Sequence, residues 1–63
     1  MKNPKLLFLV NVDWFFVSHR LPIAIEAISK GYEVHVATTV TSKRAMLEEL
    51  GLIVHDIDIP RSS

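Results

Sequence analysis

The sequence predicts an α/β unit, β-α-β-α-β: a Rossmann-like half unit with a parallel three-stranded sheet, strand order 3-2-1, and both helices on one face. Three observations predict it. Apolar or alternating runs at 5–11, 32–38 and 52–59 are separated by segments of helical period at 20–30 and 43–50. Gly31 and Gly51, the only glycines, stand where each helical segment gives way to a strand. The joins are short, and strands linked through helices in this way run parallel with right-handed crossovers.

The first run, "KLLFLVN", is apolar on both faces, which suggests a central parallel strand. In "RLPIAIEAISK", Leu21, Ile25 and Ile28 fall at i, i+4 and i+7, with Ala24 and Ala27 beside them, and predict the buried stripe of a helix. Pro22 limits where that helix starts. With Ser18 as N-cap it would remove the first intrahelical N–H donor; with His19 or Arg20 as N-cap it falls at N3 or N2, where none is missed.

"YEVHVAT" alternates, with Val34 and Val36 on one face and Glu33 and His35 on the other. Thr41 or Ser42 can cap a second helix over 43–50, with Met46, Leu47 and Leu50 inward. The last run, "LIVHDIDI", predicts a strand with Asp56 and Asp58 on one face, Ile57 and Ile59 on the other, and Pro60 at its end. No pattern continues into the tail, and no internal repeat is visible.

Two consecutive crossovers of one hand place both helices over the same side of the sheet. Leu6, Phe8 and Val10 can then be covered, while Leu7 and Leu9 cannot. Parallel sheets are normally covered on both faces, and so large an apolar patch exceeds what a soluble monomer leaves exposed. The expectation is that residues 1–63 are the N-terminal fragment of a larger domain, or associate with a second copy.

Composition narrows the function. Apolar residues make up 49% of the 63, which argues against disorder. Seven basic residues balance seven acidic ones, so no net field draws nucleic acid or anionic lipid. There is no cysteine, hence no disulfide and no thiolate metal site. "LLFLV" is too short for a signal-peptide core or a membrane span, and the chain reads as cytoplasmic.

Known site patterns are missing. The turn after strand 1 has no glycine and strand 2 ends in "ATT", so neither signal for a nicotinamide or flavin dinucleotide is present. The phosphate-cradling G-x-x-x-x-G-K-[ST] is also missing. His19, His35 and His55 lie on three elements with no metal-ligand spacing, and no metal or other cofactor is expected. Strand histidines facing a helix or solvent explain His35 and His55, and a solvated edge face explains Asp56 and Asp58.

The turn 12–20, "VDWFFVSHR", carries the chemistry. Ser18, His19 and Arg20 precede a helix start, where free N–H groups favour an anion, and together can hold a phosphate or a sugar hydroxyl. Alternatively Ser18 or His19 caps the helix and Arg20 pairs with a surface acid. Trp14, Phe15 and Phe16 can form a stacking platform, or at least two of them can plug the floor of a cleft.

Residues 5–38, through "D-W-F-F-x-S-H-R-L-P" and "G-Y-E-V-H-V-A-T", resemble the opening of bacterial family 4 glycosyltransferases of the GT-B fold, those that assemble lipopolysaccharide and other surface polysaccharides. The resemblance implies two Rossmann-like halves across a cleft. The N-terminal half receives a glycan or lipid-linked acceptor, and the other holds the nucleotide-sugar donor. It implies retention of anomeric configuration without a metal, and possible peripheral contact with the inner face of the membrane. By position, Asp13, Ser18, His19 and Arg20 would be the substrate-binding polar groups, with Thr38 and Thr39 at the matching end of strand 2. Many members place adjacent glycines in the first turn, letting backbone reach the donor diphosphate. Here Val12–Val17 fill it, which favours an apolar acceptor contact. The acidic donor motif of the second half is absent, so the chain alone is expected to be inert. The competing expectations are a stand-alone α/β interaction module that pairs through its bare sheet face, and a piece of another Rossmann-like enzyme.

Overall fold

The computed structural model describes residues 3–57. The elements run β1 (Lys5–Val12), α1 (Asp13–His19), α2 (Leu21–Ser29), β2 (Glu33–Thr39), α3 (Arg44–Glu49) and β3 (Ile53–Asp56). The three strands are parallel in the order β1-β2-β3, as the sequence predicts. In register, Leu7 lies beside His35, Leu9 beside Ala37, and Ala37 beside His55. The pairing of β1 with β2 is irregular between Leu9 and Val12, next to the start of α1. Asp58, Ile59 and Pro60 fall outside the described residues.

The core lies on one side of the sheet. Val34, Val36 and Val54 meet Phe16 of α1, Ala24 and Ala27 of α2, and Leu47 of α3, with Leu6, Phe8 and Val10 packed against them. On the opposite side Leu7 is 62% exposed and Leu9 68%, and Ile53 is also exposed. The expected one-sided layering is therefore present. β1 is an edge strand here rather than a central one, which leaves its second apolar row without cover.

Three expectations need correction. The turn after β1 is itself a seven-residue helix, α1, with Asp13 in its first turn where the helix dipole favours an acid. Helix α2 starts after Arg20, which places Pro22 at N2, one of the permitted positions. Its buried seam is Ala24 and Ala27, whereas Ile25 is 43% exposed. Small side chains let the helix axis approach β2 closely, and that contact decides which face turns inward. In α3 only Leu47 is fully buried; Leu50 is exposed.

Both later helices end alike. The N–H of Tyr32 donates to Ala27 O and that of Leu52 to Leu47 O, each closing a six-residue loop past a glycine. Gly31 and Gly51 take φ of +92° and +102°, which L-residues with a side chain rarely adopt. Among the described residues no helix is long and apolar enough to cross a membrane.

Candidate functional site

In open parallel sheets, ligands sit beyond the carboxyl ends of the strands. Here that end is built from the end of β1, α1, the α1–α2 junction and the loop after β2. Asp13 organises it. Its Oδ1 accepts from the Thr41 hydroxyl at 2.6 Å, and its Oδ2 accepts from the N–H groups of Thr41 and Lys43 at 2.8 and 2.9 Å. The side chain is fully buried. Burial opposes its ionisation, but the Thr41 hydroxyl and the N–H groups of Thr41, Lys43 and Trp14 outweigh that and hold the carboxyl below its ordinary range. The expected Thr41 or Ser42 cap on α3 is absent: Lys43 is the N-cap and has no side-chain cap bond, and the N–H of Lys43 is satisfied by Asp13 from across the fold.

Ser18, His19 and Arg20 are exposed at the α1–α2 junction. Ser18 does not cap α2, because α1 runs through it and Arg20 is the N-cap, without a side-chain cap bond. His19 Nδ1 lies 3.3 Å from Phe15 O and donates to it, and its ring stacks on Phe15 at 4.2 Å with planes 16° apart. That leaves Nε2 free to face solvent. The Arg20 guanidinium forms no ion pair among the described residues.

Beside the open edge of β1 lies a pocket of about 310 Å³, lined by Leu9, Val10, Asn11, Phe15 and Arg20. It joins the Arg20 cation and the Asn11 amide to apolar walls. Of the aromatic run only Phe16 is core, packed edge-on against Phe8 at 5.2 Å; Trp14 and Phe15 are exposed, so the expected plug of at least two residues is not formed.

The sequence-predicted residues thus separate into two groups. Ser18, His19 and Arg20 are together at the surface, with Arg20 in the pocket. Asp13 and Thr38 are buried, Asp13 engaged by its three donors and Thr38 with a hydroxyl that has no partner among the described residues. Thr39 donates to Ile57 O at 3.3 Å, tying the ends of β2 and β3. Phe15, one of the three aromatics that could form a platform, lines the pocket, and Asn11, at the end of β1, joins it there as a polar wall that no local pattern marks.

His35 and His55 meet each other across the open face, where the sequence suggested isolated strand histidines. His35 Nδ1 is 2.8 Å from His55 Nε2, and His35 Nε2 is 2.6 Å from Glu33 Oε2. The His35 hydrogen bond holds the Glu33 carboxyl below its ordinary range, with Lys5 contributing. Among the described residues no group of three or more histidine or carboxylate side chains is placed to hold a metal ion.

A family model described as glycosyl transferase 4-like matches residues 5–63. No curated protein matches the chain. No solved structure matches it either.

Proposed function

The chain belongs to the glycosyl transferase 4-like family, and from that premise we propose that it is the acceptor-side N-terminal portion of a bacterial retaining enzyme of the GT-B fold. The longer enzyme transfers a sugar from a nucleotide-sugar donor to a glycan or lipid-linked acceptor in lipopolysaccharide or surface-polysaccharide assembly, in the cytoplasm at the inner face of the membrane. The chain by itself does not catalyse transfer.

One observation carries the reading. The pocket beside β1 sets Arg20, which forms no ion pair among the described residues, against Leu9 and Phe15, with Asn11 as a neutral polar group. An acceptor with an apolar portion and hydroxyl or phosphate groups fits that mixture. His19 and Ser18 extend the polar rim. Asp13 acts behind them, holding the loop at 41–43 against the start of α1. The bare sheet face supports a larger domain, whose further helices would cover it.

Measuring sugar transfer by the longer enzyme with Arg20→Ala tests this. The variant should keep its fold and lose about tenfold or more in turnover per acceptor, the scale of one charge-assisted contact. Equal turnover by variant and parent would contradict it.

A further inference from the structure

The buried side chains of α1 are Asp13 and Phe16. They stand three residues apart and share one face of the helix. Phe16 seats on Phe8 of β1, while Asp13 reaches the loop after β2 at Thr41 and Lys43. The helix has only seven residues, and its N-cap, Val12, makes no side-chain cap bond. A helix this short owes its place to tertiary contacts, so these two anchors decide where α1 sits.

The pocket beside β1 is built across that joint. Leu9, Val10 and Asn11 come from β1, Phe15 comes from α1, and Arg20 stands at the end of α1. Phe15 and His19, stacked at i and i+4, lie on a different face of α1 from the two anchors. Turning α1 about Phe16 alone would swing Phe15 and Arg20 relative to β1 and change the gap between the pocket walls. The second anchor, Asp13, removes that freedom. Two of its three donors across the fold are main-chain N–H groups, which any residue except proline would supply at 41 and 43. The third is the Thr41 hydroxyl, 2.6 Å from Oδ1, a charge-assisted bond that depends on which side chain stands at 41. Thr41 does not itself line the pocket.

We propose that Thr41 is a positioning residue for the acceptor pocket, acting through Asp13 to set α1, and with it Phe15 and Arg20, against β1. The inference rests on the acceptor-side reading of that pocket.

Steady-state kinetics of the longer enzyme, with acceptor and donor varied separately, test it. Thr41→Val should raise the acceptor KM about fivefold, because the contact is displaced rather than removed, and leave the nucleotide-sugar KM unchanged. Thr41→Ser, which keeps the hydroxyl, should restore the parent value. In an Arg20→Ala background Thr41→Val should add much less, since both act on one contact. Val54→Ala opens the core at β3, which β2 separates from β1; it should lower the thermal midpoint without moving the acceptor KM. Should Thr41→Val not fold, Thr41→Cys, a weaker donor, is read by the same criteria. An acceptor KM unmoved by loss of the hydroxyl, moved equally by Val54→Ala, or not restored by Thr41→Ser overturns the proposal. The acceptor-side reading itself stands or falls on Arg20→Ala alone in the same assay, so the two failures are told apart.

Discussion

The Asp13 carboxylate and Thr41, 28 residues apart, are joined twice: by the hydroxyl at 2.6 Å and by the N–H at 2.8 Å. This pair ties the first helical turn after β1 to the loop that follows β2 at the carboxyl end of the sheet. Replacing Asp13 with Asn can keep an oxygen toward the two backbone N–H groups and turn its amide N–H to the Thr41 hydroxyl, but it removes the charge that strengthens all three bonds. The loss should be about 2–3 kcal/mol, as charge-assisted bonds become neutral ones. In a domain of this size the thermal midpoint should fall by roughly 10–20 °C, which calorimetry or circular dichroism would record. An unchanged midpoint would show that the clamp is dispensable.

The same clamp fixes an acid limb of stability. The folded state holds the Asp13 carboxyl below its ordinary range. Such a group contributes stability that is fully present above its unfolded pKa, about 4, and is lost as pH falls through the lower folded value. Glu33, lowered through His35, acts with the same sign. Urea midpoints should therefore decline below about pH 4, with a shallower decline in Asp13→Asn. Parallel declines in parent and variant would assign the acid limb elsewhere.

The α2 seam makes a prediction of the opposite kind. Ala24 is fully buried where the helix meets β2. Ala24→Leu should overpack that contact and cost about 1–3 kcal/mol, although leucine has good helix propensity. Ile25→Ala, on the exposed face, should cost much less. If the ranking were reversed in chemical denaturation, the helix would be rotated from the face described here.

Much of the sheet was legible in the residues. The alternation in β2 and the two apolar rows of β1 gave the strand faces, and Pro22 confined the start of α2. What escaped depended on contacts distant in the chain. The segment 13–19 lacks a capping side chain and reads as a turn; it is helical with Phe16 seated on Phe8 and Asp13 held by Thr41. Periodicity alone ranked Ile25 above Ala24, because it weighs hydrophobicity and not how near two backbones come. The meeting of His35 and His55 required the register of β3 on β2, which no local pattern supplies. At the candidate site, Ser18, His19 and Arg20 are exposed, whereas the burial of Asp13 and Thr38 depends on loop packing that the sequence does not display.

The claim that this segment receives the acceptor is tested most directly by the steady-state kinetics of Arg20→Ala in the longer enzyme, with donor and acceptor varied separately. An acceptor-side role predicts that the acceptor KM rises about tenfold, the scale of one lost charge-assisted contact, while the nucleotide-sugar KM stays as it was. A rise in the nucleotide-sugar KM with the acceptor KM unmoved would place Arg20 on the donor and contradict the account.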